Sequence, residues 1–196
     1  KLFNSDNGEG LAMQFSIQKD YLKQAVQEVM YAVSNKPAHP ILSGIKLTAD
    51  AKGVTLTGSD SNIVIQRIIP AIADEKVVVQ VYKEGSAVIP GKYFSEIVKK
   101  LPSDMFIEAN GDFHTTVQAE DIITTMNGYN PDEYPVLPQM EKSSTVSLPG
   151  EELAEMVRQT AFAVAKTESR PILSGVHISV QGGELSLAAT NGHRLA

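Results

Sequence analysis

Four histidines, His39, His114, His177 and His193, are the residues most able to carry acid-base or metal chemistry. None has a second histidine within a helical turn and no HExxH occurs, so the spacing that turns two imidazoles toward one zinc ion is missing. No metal site is expected. Gly91-Lys92 sits where a phosphate loop would end, but Tyr93 occupies the place of the magnesium-binding Ser or Thr, and no glycine stands five residues before Gly91. The pair reads instead as a helix start. There is no GxSxG elbow and no GxGxxG behind a strand. Asp60, between Ser59 and Ser61, could serve with His193 as the acid of a hydrolase, yet Asp and Ser following a strand are the ordinary residues of turns. The absence of cysteine excludes a disulfide framework, a CxxC redox site, thiolate zinc ligation and a cysteine nucleophile together. These residues argue for a non-enzyme that needs no cofactor.

Two binding surfaces remain. Helical lysines form the first: Lys92, Lys99 and Lys100 against Glu96, Lys19, Lys23 and Lys36 against Asp20 and Glu28, and Arg158 and Lys166 against Glu151, Glu152 and Glu155. The bias is basic but slight, and a solvated helix face explains it as well as a polyanion does. The second is Thr190-Asn191-Gly192-His193-Arg194-Leu195-Ala196, where a flexible glycine, an amphipathic His-Arg pair and a leucine could line a groove for an apolar peptide. A turn entering a strand is the plainer reading of the same residues.

The elements that must position these groups repeat. Pro40-Ile41-Leu42-Ser43-Gly44 returns as Pro171-Ile172-Leu173-Ser174-Gly175, and at that offset of 131 residues 14–65 align with 145–196 without a gap. A weaker echo relates Ile89-Pro90-Gly91 to Leu148-Pro149-Gly150, each opening an apolar stripe at helical spacing: Phe94, Ile97, Val98 and Leu101, and Leu153, Met156 and Val157. The stretch at 19–34 carries a comparable stripe in Leu22, Val26, Met30 and Val33. Short extended segments precede each helix (14–17, 87–89 and 145–148), and alternation predicts strands at 45–49, 54–57 and 63–69, then at 106–109, 115–118 and 122–126. The stretch 77–82 is apolar enough for a further strand and stays undecided.

The repeating unit is β-α-β-β-β, two per domain. The expected organisation is an unpatterned extension at 1–12, a tag or disordered; a first domain at 13–142, closing in a proline-bearing linker; and the first half of a second at 143–196, with a third domain absent. On this reading the chain is a fragment of a longer protein. The repeated unit makes the expected fold class α+β, and the composition, with 42% hydrophobic and 20% charged residues, is that of an ordinary globular protein. The net charge of −6 argues against tight binding of nucleic acid in an open groove, since each neutralised phosphate needs a Lys or Arg. No apolar run approaches the roughly 20 residues that cross a bilayer and no signal peptide opens the chain, so the expectation is a soluble cytoplasmic protein with no membrane partner.

The Pro-Ile-Leu-Ser-Gly pair, the gapless repeat and Gly-His-Arg-Leu-Ala together resemble the bacterial sliding-clamp family, the beta subunits of DNA polymerase III. Asn191 is a departure, since the family usually has Asp there. The resemblance implies a clamp fold with helices on one face and antiparallel sheets on the other, closed as a head-to-tail homodimer ring around double-stranded DNA. It implies a non-catalytic processivity factor whose partners are the replicative polymerase, the clamp loader and other proteins with a clamp-binding motif. A ring holds DNA by topology, so a modestly basic lumen on an acidic protein suffices. Carried over by position, the partner-peptide pocket would use Leu173, Thr190, Gly192, His193, Arg194 and Leu195. Lys36, Thr167, Arg170, Pro171 and Ile172 match the DNA-contacting loops. Pro171 and Ile172 stand where some relatives place tyrosines, which leaves Lys36 and Arg170 as phosphate contacts beside Lys92, Lys99 and Lys100. The free edge near 115–126 would meet the third domain of another subunit. A repeat-built interaction scaffold that never touches DNA is the alternative from a different class.

Overall fold

The computed structural model describes residues 10–34, 39–60, 62–135, 146–166 and 170–196. The chain divides into two compact units, Lys1–Leu137 and Pro138–Ala196. In the first, β1 (Leu11–Ile17), α1 (Lys19–Val29), β2 (Gly44–Asp50), β3 (Gly53–Ser59) and β4 (Val64–Pro70) are followed by a two-rung hairpin of β5 (Ile72–Ala73) and β6 (Lys76–Val77). Then come β7 (Val79–Lys83), β8 (Gly85–Pro90), α2 (Gly91–Lys100), β9 (Met105–Asn110), β10 (His114–Ala119) and β11 (Ile122–Asn127). Because β1 begins at Leu11, the last two residues of the expected extension belong to the sheet, with Leu11 opposite Asn110.

Each β-α-β-β-β unit lends its leading strand to the other. β8 pairs with β2 in the sheet β4-β3-β2-β8, while β1 pairs with β9 in the sheet β11-β10-β9-β1-β7. Neither unit can therefore complete its own sheet. β7, which overlaps the undecided stretch 77–82, pairs with β1 at the edge. β2 and β9 follow period-two burial: Ile45, Leu47 and Ala49 point inward from β2, and Met105, Ile107 and Ala109 from β9. Both helices bury one stripe, Leu22, Ala25, Val26 and Val29 from α1 and Phe94 and Val98 from α2. All these side chains join one core with Phe15, Leu56 and Ile89, and burying each large one contributes about 1.5–3 kcal/mol. The opposite face of α2, with Lys92, Tyr93, Glu96, Lys99 and Lys100, lies in solvent.

Tyr134 closes the first unit. After β11, Tyr129 bridges to Val88, and Asn130 caps the turn Pro131–Glu133 by accepting from the Asp132 N–H at 3.1 Å. The turn drives Tyr134 into a second small core with Leu42 and Val88, where its hydroxyl donates to the Thr57 carbonyl at 3.3 Å and, at 3.5 Å, to that of Gly44. Lys46 covers the ring, its Nζ 5.9 Å from the centroid, and donates to the Pro131 carbonyl at 3.2 Å. Burial pushes the Tyr134 phenol up to about 12.

In the second unit, α3 (Gly150–Ala161) is followed by the hairpin of β12 (His177–Gln181) and β13 (Glu184–Ala188). The 131-residue period holds at the level of register: Lys46 faces Thr57 across β2 and β3, and His177 faces Ala188 across β12 and β13. Ser43 and Ser174 each return a hydroxyl to the carbonyl of the proline three residues back, both at 2.7 Å. The segment 146–149, the described part of the extended lead into α3, forms no strand. β1, its period partner, is held by β9 and β7, and the second unit has no counterpart of those strands among the described residues.

Candidate functional site

The loop 190–195 is built by side-chain oxygens replacing backbone partners. Thr190 Oγ1 accepts from the Gly192 N–H at 3.1 Å and donates to the Arg194 carbonyl at 2.7 Å. Asn191 Oδ1 accepts from the N–H groups of His193 and Arg194 at 3.0 and 3.1 Å. Gly192 sits at φ +87°, a backbone region open to glycine and strained for other residues. Two hydrogen bonds between Ala189 and Ala196 close the loop base. The carbonyl oxygen of Asn191 thus takes the place of the carboxylate that the resemblance leads one to expect there.

This loop and the turn Pro171–Ser174 bound two depressions in the second unit. The first, about 480 Å³, is mainly apolar and lined by Ile172, Leu173, Gly175, Val176, His177, Ala188, Ala189, Thr190 and Leu195. The second, about 490 Å³, is more polar and lined by Ala165, Lys166, Arg170, Leu173, Asn191, Gly192 and His193. The six residues assigned to a partner pocket therefore separate. Leu173, Thr190 and Leu195 line the apolar groove; Leu173, Gly192 and His193 line the polar one; Arg194 turns away, its guanidinium 5.5 Å from the Phe162 ring centroid.

Among the residues assigned to DNA, Arg170 shares the polar depression with Gly192 and His193. Lys92, Lys99 and Lys100 all lie on the exposed face of α2. Glu96 approaches both Lys99 and Lys100, at 3.8 and 3.9 Å, and the two lysines also complement the helix dipole in the last turn. Lys36 and Thr167 lie outside the described residues. Sequence reasoning missed Gly175, Val176, His177, Ala188 and Ala189 as groove residues and assigned Ile172 to a DNA loop. Their signal was the repeat: the period partners Gly44, Lys46 and Thr57 are the residues that hold Tyr134. Among the described residues no cluster of His, Asp or Glu has the arrangement of a metal site, and no helix is long and apolar enough to cross a membrane.

Residues 13–138 match the family model of the DNA polymerase III beta subunit, N-terminal domain, and residues 147–196 match that of its central domain. The chain belongs to the DNA polymerase III beta subunit family. The beta sliding clamp of Bacillus subtilis is 44% identical over 185 residues, which cover 94% of this chain and 49% of that protein. Its crystal structure superposes with a TM-score of 0.91 over the same shares. A sliding clamp from Pseudomonas aeruginosa solved with griselimycin bound is 27% identical, with a TM-score of 0.81, covering 94% of this chain and 48% of the other. The chain spans about half the length of the curated relatives it matches. The family membership bears out the expected α+β clamp fold and the resemblance read from Gly192-His193-Arg194-Leu195-Ala196.

Proposed function

We propose that the chain is the N-terminal and central part of a DNA sliding clamp, a non-catalytic processivity factor that encircles double-stranded DNA as a ring dimer and tethers the replicative polymerase, the clamp loader and repair proteins. The observation that carries this reading is the exposed face of α2, where Lys92, Lys99 and Lys100 stand in solvent on a protein of net charge −6. An acidic protein with a weakly basic helix face is suited to loose, mobile phosphate contact and unsuited to tight open-groove binding. On this reading 13–142 is the first domain and 143–196 the first half of the second, with a third in the full-length protein.

The second unit supplies the tether. Its polar depression joins Arg170 and Lys166 to Gly192 and His193, beside the apolar wall at Leu173. A short peptide with an acidic end and an apolar end is complementary to that pairing. The bound griselimycin of the Pseudomonas relative supports a ligand-accepting surface in this family.

The deciding experiment is retention of the full-length protein on nicked circular DNA. A topological clamp stays on the circle and is lost when the circle is linearised. Loss at equal rates from both forms would exclude it and favour a protein-interaction scaffold. A charge reversal of Lys92, Lys99 and Lys100 to Glu separates the same two readings, because a scaffold is indifferent to it.

A further inference from the structure

A depression of about 230 Å³ opens in the first unit where α1 ends and α2 begins. Met30, Val33 and Gly91 line it with apolar surface, Tyr93 and Tyr129 are its aromatic residues, and Lys92 is its cation. The two tyrosines differ in freedom. Tyr129 is fixed: its N–H donates to the Val88 carbonyl at 3.0 Å, it packs on the small core of Leu42, Val88 and Tyr134, and its hydroxyl lies 3.4 Å from Ser43 Oγ. Tyr93 is 67% exposed and contributes little burial energy to the fold. Starting a helix here requires neither the ring nor the cation. The same Pro-Gly start carries Glu151 and Glu152 in α3 where α2 has Lys92 and Tyr93. Through i+3 and i+7 spacing, Tyr93 shares its face of α2 with Glu96 and Lys100. The space is below the roughly 300 Å³ at which pockets for drug-sized ligands begin, so it suits one small flat ring.

We infer that the depression receives one unpaired base of a DNA strand, stacked on Tyr93 and Tyr129, while Lys92, Lys99 and Lys100 carry the neighbouring phosphates. The inference rests on the proposed reading of α2 as a DNA-facing helix and adds to it a preference for single strands. Phosphate contact alone cannot give that preference, because paired and unpaired strands offer the same phosphates, whereas an unpaired base leaves the stack at the least cost. Every base has a π face, so stacking of this kind tolerates any base. The site therefore marks an unpaired position and reads no sequence.

The probe is a short oligothymidylate, titrated into the full-length protein at low salt, with the methyl NMR shifts of Met30 and Val33 as readout. Shifts are expected with the single strand, and none with the same strand annealed to its complement or with an abasic strand of equal length. Tyr93→Ala is expected to weaken the binding by about fivefold or more and Tyr93→Phe to preserve it, since the ring does the stacking. Tyr31→Ala removes a tyrosine that is 87% exposed behind α1 and outside the depression, and is expected to leave the binding unchanged. Equal shifts with the abasic strand or the duplex would reduce the site to a phosphate contact and overturn the inference. Equal losses from Tyr31→Ala and Tyr93→Ala, or no shift with the single strand, overturn it as well. Retention of the same protein on nicked circular DNA judges the ring separately: the base pocket can fail on a clamp that stays on its circle, and a protein that leaves the circle can still show the shifts.

Discussion

Asp60 and Asn191, one repeat period apart, hold the same turn with the same oxygen. Asp60 Oδ1 accepts from the N–H groups of Asn62 and Ile63 at 2.9 and 2.8 Å, and Asn191 Oδ1 accepts from those of His193 and Arg194 at 3.0 and 3.1 Å. A carboxylate and an amide are interchangeable here because only one acceptor oxygen is used. The two copies thus share a backbone device and differ in what they mount on it.

The shared device titrates in one copy alone. Hydrogen bonds from Ile63 and Asn62 hold the Asp60 carboxyl below its ordinary value. A depressed folded-state pKa means that the unfolded chain binds more protons in acid, so this contribution is complete above the ordinary carboxylate range and disappears as pH falls through the depressed value. Asp60→Asn is expected to leave stability near neutrality almost unchanged and to flatten the acid limb of the melting-temperature profile. An unchanged acid limb would refute the assignment. Asn191→Ala, which removes both acceptances at once, is expected to cost about 1 kcal/mol at any pH.

Tyr134 titrates in the opposite direction. Its phenol is pushed up to about 12 by burial, so the folded state keeps a proton that the unfolded chain has lost. Stability from this residue is complete below the ordinary phenol value of about 10 and falls as pH rises from there toward 12. Tyr134→Phe is expected to lose about 1 kcal/mol at neutrality, from the bond to Thr57, and to show a shallower alkaline decline than the parent. Chemical denaturation at neutral and alkaline pH measures both.

Sequence patterning reaches the local features and stops at the non-local ones. The helix starts behind Pro90 and Pro149, the strand alternation and the repeat are written in neighbouring residues, and the turn at Asp60 is legible for the same reason. The exchange of β1 and β8 between sheets has no local signature, because pairing partners some 90 residues apart, such as Phe15 and Ile107, leave the alternation of each strand unchanged. Tyr134 is equally silent: one aromatic in a polar stretch becomes a plug only through Gly44 and Thr57, far away in the chain. In the site, Thr190, Gly192 and Leu195 are legible as a motif. The division of the motif between two depressions is not, since it depends on which side of the loop each side chain leaves.

The repeat also predicts an asymmetry in tolerance. Gly58 and Ala189 are period partners, yet a Cβ at Gly58 would collide with the Val29 carbonyl of the first unit's helix, while Ala189 already carries one and is buried. Gly58→Ala is expected to destabilise the first unit by about 1–3 kcal/mol through overpacking. Ala189→Gly is expected to cost no more than about 1 kcal/mol, the backbone entropy of a glycine. Hydrogen exchange of core amides in the two units reads the effects separately. Equal losses at both positions would mean that the helix in the second unit approaches its strand as closely as α1 approaches β3.

The lysines of α2 make a prediction whose sign separates phosphate contact from a purely structural role. Glu96 lies 3.8 and 3.9 Å from Lys99 and Lys100, and exposed pairs of this kind contribute at most about 1 kcal/mol to stability. If the face meets DNA, Glu96→Gln frees both cations and removes a repelling charge, so the full-length protein should hold a linear duplex more tightly at low salt. Every additional phosphate neutralised steepens the fall of log affinity with log salt by about 0.9. Reversal of Lys92, Lys99 and Lys100 to Glu should flatten the same plot and weaken low-salt binding by at least about tenfold. If the lysines serve only the helix dipole, both variants shift melting temperature slightly and leave the salt dependence where it was. Fluorescence anisotropy on a labelled duplex across a salt series makes the distinction, and an unchanged slope in both variants would remove α2 from the proposed DNA-facing surface.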